Sequence, residues 1–217
     1  SMGSETKTNL LRAVRADGVI VKPDGPIVPL DQTYLADAKN EPAPLLAGTC
    51  TDHDGLKTEY LFAFDRGRAS ARTLNFTITV LCLDRPAYVC DYFADTAKRL
   101  ATRGHFSALL NDTGHAFYVV APIGKSGIAF LGDKNKFVGT GKQRIASLQD
   151  QRGKLTITVL LATNEPSVIL HGYAANAPKA SAQNGITRDL QFDPATGHFT
   201  VQVEPAPASV TKNFTAP

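Results

Sequence analysis

Apolar and polar positions change rhythm along this chain. Over Thr8–Ala16, Leu10, Leu11 and Val14 are spaced for one helix face, and the pattern predicts a short amphipathic helix. Val19-Ile20-Val21 then runs into Lys22-Pro23-Asp24-Gly25-Pro26-Ile27-Val28-Pro29. Prolines this dense forbid a regular helix or a central strand, so the stretch reads as an extended Pro-rich segment that hugs a surface. From Leu56 on, the rhythm is that of strands. Tyr60–Phe64 alternates large aromatics with smaller residues, and Phe76–Val80 alternates apolar residues with Thr, the period of a sheet with one face buried. Further runs over Tyr88–Phe93, His105–Leu110, Ala116–Val120, Gly127–Leu131, Lys154–Leu161, Ser167–Tyr173, Thr187–Phe192 and Phe199–Val203 are separated by turn clusters. The closing pair flanks Asp193-Pro194-Ala195-Thr196-Gly197, where Pro presets φ and Gly supplies a positive φ.

This cadence predicts an all-β, antiparallel, jelly-roll-like β-sandwich with an extended Pro-rich N-terminal segment. Four stretches follow. Residues 1–16 combine Ser1-Met2-Gly3-Ser4, which reads as an expression-vector remnant, with a short N-terminal segment. Residues 17–55 form a wrapping segment, 56–204 the sandwich, and 205–217 a Pro/Ala/Thr-rich tail.

Composition changes little in this picture. With 43% hydrophobic and 20% charged residues in 217, the chain can build a core without staples. A net charge of +3 with no dense basic run gives no nucleic-acid footprint. No apolar stretch approaches the ~18 residues of a spanning helix, so no membrane partner is expected. Cys50, Cys82 and Cys90 make neither a CxxC metal site nor an even-numbered framework. Buried free thiols are expected, with a Cys82–Cys90 cross-strand disulfide as the alternative.

Each candidate for chemistry has a plainer explanation. Ile123-Gly124-Lys125-Ser126-Gly127 carries the Gly-Lys-Ser of a phosphate loop, but Val119 stands where its first Gly belongs and no long helix follows. A β-turn with Lys125 in solvent is expected. Thr51-Asp52-His53-Asp54-Gly55 gathers two carboxylates and an imidazole yet lacks the ligand spacing of a calcium loop, so it reads as an Asp/Gly turn. His53, His105, His115, His171 and His198 show no HxH, HxxxH or HExxH spacing, and no metal ligand is assigned. A Gly-x-Ser-x-Gly elbow is missing as well. A self-contained glycosidase would need two carboxyl groups about 5 to 9.5 Å apart in a cleft, but Asp65, Asp84, Asp91, Asp95, Asp112, Asp133 and Asp150 mostly sit at strand ends, where turns explain them. For stacking on a sugar ring the chain offers no Trp. Tyr92 is the best exposed aromatic candidate, with Asp91 and Arg99 as its polar partners.

Three stretches carry a family likeness: Val89-Cys90-Asp91-Tyr92-Phe93, then Phe117 to Lys134 with its Ala121-Pro122-Ile123-Gly124 and Gly127-Ile128-Ala129-Phe130-Leu131-Gly132-Asp133, then Lys142-Gln143-Arg144-Ile145. Over about residues 17–204 the chain resembles the C-terminal β-sandwich domain of barrel-type bacterial glycoside hydrolases, especially the α-galactosidase-like group. The resemblance implies a non-catalytic accessory domain of a larger glycoside-hydrolase-like protein, whose partner is a catalytic barrel of the same parent chain. It carries over no catalytic residue and no cofactor, because the catalytic carboxylates of such enzymes lie on the barrel. The alternative is a free-standing carbohydrate-binding module using Tyr92, Asp91 and Arg99.

Overall fold

The protein is described here by a computed structural model covering residues 4–39, 44–64, 72–77, 85–102, 104–110 and 114–206. Among these residues the fold is an all-β antiparallel sandwich. Helix α1 (Ser4–Ala13), strand β1 (Val28–Pro29) and helix α2 (Asp31–Ala38) precede the main strands. A six-stranded sheet follows the order β1, β2 (Leu45–His53), β3 (Leu56–Phe64), β8 (His115–Pro122), β5 (Ala87–Asp91), β6 (Thr96–Leu100). A four-stranded sheet runs β13 (Gly185–Phe192), β14 (His198–Pro205), β12 (Val168–Tyr173), β9 (Ala129–Asp133). Two two-stranded antiparallel pairs, β4 (Arg72–Thr77) with β7 (His105–Leu110) and the hairpin β10 (Ile145–Gln151) with β11 (Lys154–Val159), complete it.

The six-stranded sheet is covered on both faces. In β8 every residue from Ala116 to Pro122 is buried, as expected of a strand that reads as a continuous apolar run. One face sets Leu61, Val89, Tyr118 and Val120 against Phe106 and Leu110 of β7, with the Phe106 and Tyr118 rings 5.1 Å apart edge to face. The other sets Tyr60, Tyr88, Cys90, Phe117 and Val119 against Ala129 and Leu131 of β9 and Tyr173 of β12. The outer face of the four-stranded sheet, Phe130, Val168, Leu170 and Val201, is capped in turn by Ile145 and Leu148 of β10 and half-buried Ile157 of β11. The sandwich core is thus flanked by a further strand pair on each side.

Local chemistry sets the registers. Asp54 (φ 51°) and Gly55 (φ 87°) are the central residues of the β2–β3 turn, with His53 opposite Leu56. Positive φ at both positions is the twist-compatible two-residue hairpin, and Asp52 Oδ1 accepts the Gly55 N–H at 2.8 Å. This is the expected Asp/Gly turn. The closing hairpin also forms: the Gly197 N–H donates to Asp193 O at 2.8 Å, and Phe192 pairs with Phe199. At Gly132 (φ +94°), a Cβ would lie 2.1 Å from the Gly139 carbonyl carbon. Two backbones therefore touch there, which no larger residue permits.

Several sequence expectations shift. The stretch read as a connector up to residue 55 contains α2 and the nine-residue strand β2. The helix expected over Thr8–Ala16 lies earlier, and its apolar residues Leu10 and Leu11 are 51% and 55% exposed rather than packed. Of the run Phe76–Val80, residues 78–80 lie outside the described residues. Cys82, and with it the Cys82–Cys90 pairing, also lies outside them. Cys90 is a free, buried thiol and Cys50 a free, half-buried one.

Candidate interaction surface

The described N-terminal residues up to Lys39 are stitched onto the sandwich by backbone and side-chain hydrogen bonds, with Val21 and Ala36 buried and Leu30 packed on the core. The Arg12 carbonyl accepts the Phe137 N–H at 3.1 Å, and the Asp24 N–H donates to Cys50 O at 2.9 Å. The Arg15 guanidinium donates to Gln143 O at 2.8 Å. In α2 the Thr33 hydroxyl bridges Leu46, donating to its carbonyl at 3.0 Å and accepting its N–H at 2.8 Å. Thr33 and Ala36 face β2, which leaves Tyr34 (59%) and Leu35 (60%) outward. Val19, Ile20, Ile27 and Val28 are exposed in the same segment.

Next to α1 lies an aromatic shelf. Tyr92 is half-buried among Phe93 (5.4 Å), Phe117 (5.4 Å) and Phe137 (5.2 Å), with the Arg12 guanidinium 5.5 Å from its ring centre. Burial raises the Tyr92 hydroxyl above its ordinary pKa, against the pull of Arg12. Asp91 belongs to the opposite row of β5, with Ala87 and Val89. Its Oδ1 accepts the N–H groups of Phe93 (3.2 Å) and Ala94 (3.0 Å), shaping the turn into β6. Arg99 is exposed on edge strand β6, opposite Tyr88. The three residues singled out for sugar contact therefore occupy three settings: an aromatic cluster, a turn and a sheet edge. The solvent-facing rings of the shelf are instead Phe93 (48%) and Phe64 (44%), and Phe93 meets the exposed His115 edge to face at 5.5 Å.

The Gly124-Lys125-Ser126-Gly127 segment is a β-turn, closed by the Gly127 N–H on Gly124 O at 3.0 Å, with Lys125 exposed. Its donors already hold an anion, the protein's own. The Asp150 carboxylate accepts the N–H groups of Lys125 and Ser126, the latter at 2.9 Å. Burial would raise the Asp150 pKa, but the Ser126 and Lys125 bonds outweigh it and hold the group below the usual range. A Cβ at Gly124 would fall 2.4 Å from Asp150 Oδ2, so any larger residue there has to displace that carboxylate.

Two polar clusters went unnoticed in the sequence. Arg144, fully buried, forks onto Glu165 with bonds of 2.7 and 2.6 Å and donates to Leu160 O at 2.7 Å. Its Nε lies 2.9 Å from Asp133 Oδ2 without the alignment of a hydrogen bond. Burial raises the Asp133 pKa even against the Asn135 N–H and the Arg144 charge. On Glu165, burial works in the same upward direction, but Arg144 and the Ala162 N–H win and lower it. The second cluster pairs His171 with His198, their Nδ1 and Nε2 3.3 Å apart. Among the described residues no group of three or more His, Cys, Asp or Glu is arranged to hold a metal.

No protein-family model matches this chain, and no curated protein matches it.

Proposed function

We propose that this chain is a non-catalytic accessory β-sandwich domain of a larger glycoside-hydrolase-like protein, seated against a catalytic barrel of the same parent chain. The observation that carries this reading is the distribution of exposed apolar side chains. Leu10, Leu11, Val19, Ile20, Ile27, Val28, Tyr34 and Leu35 all fall in the N-terminal segment, against Phe64, Phe93, Leu160 and Leu190 in the rest of the described chain. Full burial of one such side chain is worth about 1.5–3 kcal/mol, a driving force the domain alone leaves unused and a docking partner would recover. The motifs over residues 89–93, 117–134 and 142–145 support the same assignment by resemblance. The test is the mass of the native gene product, read by immunoblot of the source organism with antibody against this chain. A band several-fold heavier than 23.2 kDa is expected, and a band at that mass would overturn the proposal.

A second reading, a carbohydrate-binding module, is favoured by the solvent-facing rings of Phe64 and Phe93 beside Tyr92. Stacking on the apolar face of a pyranose would use them as a platform. Calorimetric titration with a panel of oligosaccharides is the check, and silence across the panel would eliminate this reading.

A further inference from the structure

We propose that His171 and His198, neighbours within the four-stranded sheet on the face it turns to the six-stranded one, form an acid-release latch, closed while both imidazoles are neutral and opened when both carry a proton. His171 sits in β12 and is 6% exposed; His198 opens β14, one step diagonally across the ladder. Their rings stand perpendicular, with centres 5.5 Å apart. The pair faces the six-stranded sheet. Tyr88 of β5 lies parallel to His198 at 6.4 Å and packs on Tyr173, the register partner of His198, at 4.8 Å.

Two neutral imidazoles at this separation share one proton, a ring N–H of one donating to the bare nitrogen of the other. Two imidazoliums have donors only, so the bond cannot form and two like charges meet in an interior. The surroundings offer little to neutralise them. Burial raises the Tyr88 hydroxyl and the Cys90 thiol above their ordinary pKa, so neither supplies a negative charge. Lys134, beyond β9, adds a further positive charge, and Asp95, in the turn after β5, is already taken by Lys134 at 3.0 Å. Asp193, in the closing hairpin, accepts the Ala195 N–H (2.9 Å) and the Thr196 hydroxyl (2.6 Å), and its charge favours a charged His198 less than burial and Lys134 oppose it. Burial first, then the charges of His198 and Lys134, push the His171 pKa down to about 3, and burial lowers His198 as well. A folded-state pKa below the unfolded one gives stability that is complete above about pH 6.5 and drains away as pH falls toward the folded value. The Lys134–Asp95 bridge joins the two sheets beside this pair.

The experiment is amide exchange on the full chain at pH 7, 5.5 and 4, with the histidine ring protons followed by NMR in the same samples. Protection factors in β12 and β14 are expected to fall by up to tenfold per pH unit for each withheld proton, while those of β3 and β8 hold. His198→Gln keeps a neutral amide donor at this position and should remove one proton's worth of that slope. Should that variant fold poorly, Lys134→Gln takes its place: loss of the bridge to Asp95 lowers protection at every pH, but with the cation gone the further acid-driven fall in β12 and β14, measured from the variant's own pH 7 value, should be shallower. If both imidazoles titrate near their ordinary value with protection unchanged, or if β3 and β8 lose protection together with β12 and β14, the latch is overturned.

Discussion

Arg144 is the residue whose loss the fold should feel most sharply. In Arg144→Met the new side chain is apolar and unbranched, so the space left by Arg144 is partly refilled and what changes is chiefly charge. Glu165 lies toward the surface, its side chain 11% exposed, and regains water after losing its fork. Asp133, with a side chain 3% exposed, does not. It keeps the Asn135 N–H at 2.9 Å but loses the cation beside it. Removing one partner from a buried ion pair costs about 3–5 kcal/mol, and one stranded carboxylate places this variant within that range at pH 7.

The pH dependence identifies the cause. Asp133 is raised in the folded protein chiefly by burial, and without Arg144 it rises further. A protonated Asp133 needs no counter-charge, so the deficit shrinks as pH falls through its folded pKa, by at most about 1.4 kcal/mol per pH unit. In the parent protein Glu165 is lowered, so its contribution is present above the unfolded carboxylate range and declines in acid, which narrows the gap further. Urea unfolding followed by circular dichroism at pH 7 and pH 4.5 gives both numbers; the chain has no Trp to report by fluorescence. Arg144→Lys keeps the charge without the fork and should fall between parent and Met variant. A deficit under about 1 kcal/mol at pH 7, or one equal at the two pH values, would refute a buried-charge account of Asp133.

Two further outcomes can be checked by the same unfolding assay. Gly124→Ala displaces the Asp150 carboxylate from the turn N–H groups and Asp150→Ala removes it; each should cost about 1–2 kcal/mol. The double variant should cost scarcely more than either single one, and additive costs would show that the turn and the carboxylate act independently. In Tyr60→Phe, the lost hydroxyl accepts the Thr140 N–H at 3.1 Å and pairs with the Thr140 hydroxyl at 2.7 Å. Stranding that fully buried residue should cost about 1–3 kcal/mol, and a neutral effect would mean that the loop around Thr140 relaxes to water.

The strand pairs that the sequence announces are those whose reasons are local. Asp54-Gly55 and Asp193 to Gly197 carry their turn geometry in adjacent residues, and β3 sets its aromatics Tyr60, Phe62 and Phe64 at every second position, although only Tyr60 is fully buried. Strand β2 was missed because its Thr49, Thr51 and Gly48 are small or polar although buried, and β6 because it lies on an edge with Lys98 and Arg99 in solvent. For α1 the helical spacing is real, but the covering of its apolar positions depends on the tertiary arrangement, which places the Arg12 guanidinium, not Leu10 or Leu11, against the aromatic shelf. The polar clusters were illegible for a stricter reason. Spacing rules for histidine ask what one strand or helix brings together, whereas His171 and His198 are joined by the β12–β14 ladder across 27 positions, and Arg144 gathers Asp133 and Glu165 from either side of it in the chain. A signal was nonetheless present. His171 interrupts the apolar run from Val168 to Tyr173. A polar group embedded in an apolar run costs several kcal/mol unless it finds a partner, so that position announces that a partner exists, while only strand order and register decide which residue it is; Arg144, beside Lys142 and Gln143, carries no such mark.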